Sequence, residues 1–183
     1  AIDDRAGCAI MLEMAMALKT RTKGPTVHLV WSSLEEFNLR GAVVAAQVLQ
    51  PDIAIQIDLM LATDTPDMAD RGEMVLGGGP CMALYSFHGR GTLNGVIPHP
   101  ALVRLMEGTA AQLKMPLQRS AHIGALTDLS YVQTVGQGVA AIDMGYPMRH
   151  SHSALEVCDL ADLEALTTLL LAALGRIDGT MKL

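Results

Sequence analysis

Residues 53–59 read Ile-Ala-Ile-Gln-Ile-Asp-Leu and are preceded by Pro51-Asp52. The run is short and apolar apart from Gln56 and Asp58, which fits a strand inside a sheet better than a helix. An ionised carboxylate in such a run must be paired, hydrogen-bonded or bound to a metal. Upstream, 39–50 reads as a helix that stops at Pro51, 26–33 (TVHLVWSS) as a β-rich strand, and 5–20 as a mostly buried helix broken by the Arg-Thr-Lys-Gly-Pro of 21–25. Downstream, 63–79 is rich in loop signals, with Pro66 and the run Gly77-Gly78-Gly79. Then come a strand at 81–87, an amphipathic helix at 100–115 between Pro100 and Pro116, a short strand at 117–121 and a short helix at 127–135. A strand at 138–144 (GVAAIDM) leads into a polar loop through Ser153, and a last helix at 160–177 has Asp159 placed to cap it. Alternating strands and helices predict an α/β fold, a mostly parallel mixed sheet with helices on both faces. Neither a repeat nor a linker divides the chain, so 1–183 is expected to be a single domain.

Composition narrows the class. Of 183 residues, 50% are hydrophobic and 17% charged, which excludes a disordered chain. The net charge is −6, Lys and Arg form no run, and aromatics make up only 3%, so nucleic acid is not an expected partner. Apolar stretches are broken before they could span a bilayer, and neither a membrane span nor a signal peptide is expected. Cys8, Cys81 and Cys158 are odd in number and form no CxxC pair. They predict buried thiols in a reducing, cytoplasmic setting rather than a disulfide framework or a thiolate zinc site. The 12 methionines read as core filler. The oily balance of Ala, Leu, Met and Val leaves surface to meet another domain or subunit. The chain starts at Ala1-Ile2-Asp3 without a methionine, the expectation being a piece of a longer protein.

In open α/β sheets ligands gather beyond the C-terminal ends of strands. Glu35-Glu36 follow the 26–33 strand, Asp58 ends the 53–59 strand, Arg149-His150-Ser151-His152 follow the 138–144 strand, and Asp3-Asp4 precede the first helix. Converging there, these carboxylates would repel unless a cation neutralised them, and carboxylates with imidazole suit zinc, manganese or cobalt better than calcium. Each feature also has an ordinary reading. Asp3-Asp4 can cap a helix, Glu35-Glu36 can be a solvated turn, and His150 and His152 can be surface residues. His28, His88, His99 and His122 are taken as structural or surface residues. The glycine run lacks the Lys-Ser/Thr of a phosphate loop but can shape a pocket wall.

Taken in order, the motifs are A-x-D-D-R-x-G at 1–7, E-E-x-x-x-R-G-A at 35–42, P-D-x-A-I-x-x-D at 51–58, D-T-P at 64–66, L-G-x-G-P at 76–80, T-D at 127–128 and R-x-x-H-S-x-x-E at 149–156. The set resembles the tetrahedral, glutamyl-aminopeptidase-like family of binuclear zinc or cobalt exopeptidases, some of which carry an endoglucanase label. The resemblance implies a zinc-exopeptidase, phosphorylase/hydrolase-like fold, here the C-terminal part of the catalytic domain without its upstream strands and inserted β domain. It further implies that Asp3 bridges two metals, that Asp4 holds that geometry, that Glu35 is the general base, and that Glu36, Asp58 and His152 are metal ligands. Thr127 and Asp128 match a supporting motif. Two divalent ions are implied in the complete enzyme, and one or none in this segment. Peptides are the implied substrates and a homo-oligomer, dodecameric in the family, the implied assembly. Three positions depart from the pattern: Phe37-Asn38 stand where Val-Gly is usual, and His150 where Tyr is usual. Competing with the aminopeptidase are a non-catalytic assembly module and a related metal-dependent deacylase or carboxypeptidase. A carboxylate glycosidase is disfavoured by one Trp, two Phe and three Tyr, too few for sugar platforms.

Overall fold

The structure, a computed structural model, describes residues 2–89 and 94–183, apart from the side chain of His122. Ala1, which opens the first motif, and the expected structural or surface role of His122 lie outside the described residues.

The order along the chain is α1 (Arg5–Leu18), α2 (Arg40–Leu49), β1 (Ile53–Leu61), β2 (Cys81–Phe87), β3 (Gly95–Val96), α3 (Pro100–Leu113), β4 (Gln118–Ile123), α4 (Leu129–Val132), β5 (Ala140–Arg149), β6 (Val157–Cys158) and α5 (Leu160–Leu174). Among the described residues six strands form one sheet, in which β1, β5, β2 and β3 are neighbours in that order, with β4 on β2 and β6 on β5. The long ladders, β1 with β5 and β2 with β4, are parallel. The short ones, β2 with β3, β2 with β5 and β5 with β6, are antiparallel. The mostly parallel mixed sheet expected from the sequence is therefore what forms.

Period-two alternation sorts the two faces. Ile142, Met144, Tyr146 and Met148 of β5 are fully buried in one core, with Ile10 and Met14 of α1, Leu102 and Met106 of α3, and Leu166, Leu169 and Ala173 of α5. Ile53, Ile55, Ile57 and Leu59 of β1 pack against the same core. Ala141 of β5 and Ala54 of β1 turn the other way, against Ala46 of α2 and Leu129 and Val132 of α4. Helices thus cover both faces. Several of the methionines fill these cores, as expected.

Local signals set the helix starts. The Asp4 carboxylate accepts from the Gly7 N–H at 3.0 Å, and a Cβ on Gly7 would lie 2.1 Å from that carboxylate, so the approach requires glycine. Pro100 opens α3 behind His99, whose Nδ1 accepts from the Ala101 N–H, so His99 has the structural role expected of it. Asp159 caps α5 through the Ala161 N–H.

Three expectations are corrected. Residues 26–33 carry no strand pairing; among the described residues β1 pairs with β5 alone, and β-rich composition makes no strand without a ladder partner. The segment is tied down instead by the Gly41 N–H donating to the Ser33 carbonyl at 2.9 Å and the Ser32 hydroxyl donating to Asp128 at 2.8 Å. Cys8 is exposed and Cys158 half-buried; only Cys81 is the buried thiol expected, because Cys8 lies off the buried stripe of Gly7, Ile10 and Met14 in α1. Finally, Gly77 and Gly79 donate their N–H groups to the buried Asp162 carboxylate at 2.8 and 2.7 Å. The glycine run therefore binds the start of α5 and is absent from the lining of the cavity beside Asp58.

Leu166 is completely buried and Val48 is 78% exposed, so the two report on opposite environments. Leu166→Ala is expected to lower unfolding free energy by about 2–5 kcal/mol, and Val48→Ala by less than about 0.5 kcal/mol. Urea denaturation of the two variants beside the parent chain checks both.

Candidate metal centre

Three of the sequence-nominated residues meet. Asp3, Glu36 and His152 each offer one ligand atom, and these atoms lie within 4.8 Å of one another. His152 Nε2 is 3.1 Å from Asp3 Oδ2 and 3.5 Å from Glu36 Oε1. Ligand atoms on neighbouring corners of a tetrahedron with metal bonds of about 2.0–2.1 Å stand about 3.3 Å apart. The separations and the donor set, two carboxylates and an imidazole, therefore fit a borderline cation such as zinc or cobalt. Asp3 is shielded, whereas Glu36 and His152 open to solvent.

Each side chain arrives differently. Asp3 directly precedes the capping residue of α1. Glu36 sits in a tight turn between the unpaired segment and α2. There the Leu34 carbonyl accepts from Phe37 and Arg40, the Glu35 carbonyl accepts from Leu39, and Leu34, Asn38 and Leu39 are left-handed. His152 lies in the turn after β5, where it and His150 have φ values of 58° and 59°.

The other nominated residues surround this trio. Asp58 is not one of the three. Its carboxylate accepts from its own Leu59 N–H at 2.7 Å and from Gln56 Nε2 at 3.0 Å. Burial, followed by the charges of Asp4, Asp3 and Glu35, pushes it well above the carboxylate range. Across the ladder it faces Gly145, where a Cβ would stand 2.2 Å from the Asp58 carbonyl, so glycine is needed there too. Asp4 accepts the buried Tyr146 hydroxyl at 2.7 Å as well as capping α1. Burial raises its carboxyl to about 6 against those hydrogen bonds. Glu35 is half-buried, and no hydrogen bond to its carboxylate is found among the described residues. Burial, then the carboxylates of Asp128, Glu36 and Asp3, push it to about 7, with His152 opposing.

Thr127 and Asp128 separate. Thr127 donates its hydroxyl to the buried Asp143, 3.1 Å from each oxygen, and Asp143 is raised to about 7 by burial. Asp128 accepts from Ser32 through Oδ2, while its buried Oδ1 has no partner among the described residues. Asp143, Tyr146, Gln56 and Glu156 were not nominated from the sequence. Tyr146 lay beyond the expected end of its strand, whereas Glu156 was already visible as the last letter of the histidine motif. A cavity of about 60 Å³ opens beside Asp58, lined by Met60, Leu61, Ala83, Ser86, Thr127 and Asp143 among others.

Raised carboxyls bind more protons folded than unfolded between about pH 4 and pH 7, so they destabilise the fold progressively as pH rises through that window. Asp4, Glu35 and Asp143 all act in this direction. The chelator-treated chain is expected to melt at a higher temperature at pH 5 than at pH 8. Asp143→Asn, which keeps the shape and cannot ionise, should flatten part of that slope. Thermal melts of both proteins at the two pH values decide it; a steeper slope in the variant would show that Asp143 is not among the causes.

Several known proteins similar to this chain carry aminopeptidase names. SgcX of Escherichia coli (strain K12), which carries an aminopeptidase name, is 39% identical over 175 residues, covering 96% of this chain and 47% of its own length. A TET aminopeptidase from a marine sediment archaeon of the Thaumarchaeota superposes with a TM-score of 0.90 at 28% identity, over 99% of this chain and 49% of that one. Aminopeptidase APDkam598 from the archaeon Desulfurococcus kamchatkensis superposes with a TM-score of 0.88 at 31% identity, over 100% of this chain and 51% of that one. The chain thus spans about half the length of these relatives. The family model described as M42 glutamyl aminopeptidase matches residues 1–169, and the chain belongs to that family.

Proposed function

We propose that this chain forms part of the catalytic domain of a metal-dependent aminopeptidase that removes N-terminal residues from peptides. The observation that carries the proposal is the meeting of Asp3, Glu36 and His152 with Glu35 beside them. Asp3, Glu36 and His152 would hold one divalent ion, zinc or cobalt, and Asp3 with Asp58 would contribute to a second. Bound in a pair, such ions supply Lewis acidity toward a water and toward the scissile carbonyl.

The protein's own groups do the rest. Glu35 is the general base: with a proton affinity near neutrality it can take the proton from the attacking water and hand it to the leaving amine. Glu36, next to it in sequence, would serve as a cation ligand, so adjacent carboxylates divide the two tasks. Asp4 holds the start of α1 and, through the Tyr146 hydroxyl, fixes Asp3 relative to β5. The acidic surroundings attract a free α-amino group, which favours cleavage at a peptide's amino end. Asp128 stands near Glu35 and contributes to its raised proton affinity. In the same proposal the protein works in the cytoplasm and associates with copies of itself. Exposed apolar side chains such as Trp31, Phe37, Val44 and Val48 offer surface for such contacts.

Glu35→Gln is expected to lower kcat for cleavage of an aminoacyl-peptide at least about 100-fold, with bound zinc per chain unchanged. His152→Ala should lose the zinc as well. Both are read by peptide cleavage and by metal analysis after dialysis against zinc. Undiminished cleavage by Glu35→Gln would remove Glu35 as the base.

A further inference from the structure

His152 is delivered by a turn rather than by a strand. β5 ends at Arg149, β6 begins at Val157, and both His150 and His152 between them are left-handed. Side chains other than glycine adopt that conformation rarely, so the turn depends on anchors outside itself.

Two such anchors are present, one at each end. At the start, Arg149 makes a fork with Asp64, Nε to Oδ1 and Nη2 to Oδ2, each at 2.7 Å. Asp64 also accepts from the Leu76 N–H at 3.0 Å. Asp64 follows the end of β1, the strand of Asp58, so the fork joins the exits of β1 and β5. At the other end, the Glu156 carboxylate accepts from the Asp3 N–H at 3.2 Å and from the Ile2 N–H. The His152 N–H also interacts favourably with that carboxylate. The turn and the start of α1 are therefore joined twice, through His152 and Asp3 side chains at 3.1 Å and through Glu156 and the Asp3 backbone. One contact would leave the segments free to pivot; two side by side fix the angle between them.

We propose that Glu156, with Arg149 as its counterpart at the other end of the turn, is a positioning residue that sets His152 against Asp3. This rests on the proposed role of Asp3 and His152 as cation ligands. Glu156 itself is neither ligand nor base, because its carboxylate is committed to backbone N–H groups. The chemistry explains the residue type. A carboxylate accepts several N–H donors in charge-assisted bonds, Gln keeps one acceptor oxygen, and Ala keeps none. Lys in place of Arg149 would keep the charge and lose the fork.

The test uses the whole 183-residue chain, with amide hydrogen exchange read at each residue and zinc alone as the titrant. Glu156→Ala is expected to speed exchange at Asp3 and His152 together by at least about 10-fold, leave the α5 amides unchanged, and weaken zinc binding about 10–100-fold. Glu156→Gln should recover most of both effects, and Arg149→Lys should speed exchange at His152 but not at Asp3. Unchanged exchange at Asp3 and His152 in Glu156→Ala would overturn the proposal. So would faster exchange with zinc affinity equal to the parent's, since the tie would then serve the fold alone. If Glu156→Ala fails to fold, Glu156→Gln decides: parent-like exchange and zinc affinity support an acceptor at this position, and loss of both at unchanged melting temperature overturns it. If the parent chain takes up no zinc, the ligand assignment fails, and exchange alone decides whether Glu156 joins the two residues.

Discussion

The nine-residue parallel ladder between β1 and β5 is the constraint on which the rest depends. Its register puts Asp58 opposite Gly145 and sends both strands out at the same edge. The pleat then divides labour within each strand. Ile53, Ile55, Ile57 and Leu59 face the core under α1, α3 and α5, while Gln56 and Asp58 fall on the alternate positions. A slip of one residue would exchange the two sets and put a carboxylate into that core. Beyond the shared edge, β5 leads into the turn of His152 and β1 into the Asp64 that holds it. Packing and site geometry thus follow from one register.

Electrostatics gives the site its character. Asp3, Asp4, Glu35, Glu36 and Asp58 come together on a chain whose net charge is already −6. His152 is the group that meets Asp3 and Glu36 directly. Hydrogen bonds relieve part of the repulsion, from Tyr146 and Gly7 at Asp4 and from Gln56 and Leu59 at Asp58. What they leave uncompensated appears as carboxyls raised toward neutrality. A divalent cation would remove that mutual repulsion, so ordering of the ligands and binding of the ion are linked.

Much of the fold was legible because its signals are local. The caps at Asp4 and Asp159, the proline that opens α3, and the breaks at Pro51 and Pro116 mark element ends through backbone chemistry that needs no distant partner. Residues 26–33 depart from their β-rich composition for the opposite reason, since a strand exists only through a neighbour and composition cannot supply one. β5 ran past its expected end at Met144 to Arg149, and the extension carries Tyr146, whose hydroxyl reaches Asp4 across the fold. The glycine run looked like a pocket wall, yet its N–H groups are taken by Asp162 from the other end of the chain. Thr127 and Asp128 match one motif, yet successive side chains diverge: the Thr127 hydroxyl serves Asp143, and Asp128 accepts from Ser32.

By itself the sequence determined the order of the five helices and the four longer strands of the described residues, the alternation that makes both sheet faces apolar, and the residue types able to hold a cation. Those properties are written in spacing and side-chain chemistry. Only the tertiary structure decided which carboxylates share a ligand cluster and which stand beside it. Asp3, Glu36 and His152 are up to 149 positions apart in sequence, and their separations of 3.1 and 3.5 Å come from the β1–β5 register and the turns beyond it. Distances across a fold are set by packing and by closed hydrogen bonds between remote segments, such as Glu156 on the Asp3 backbone, and no local pattern encodes them.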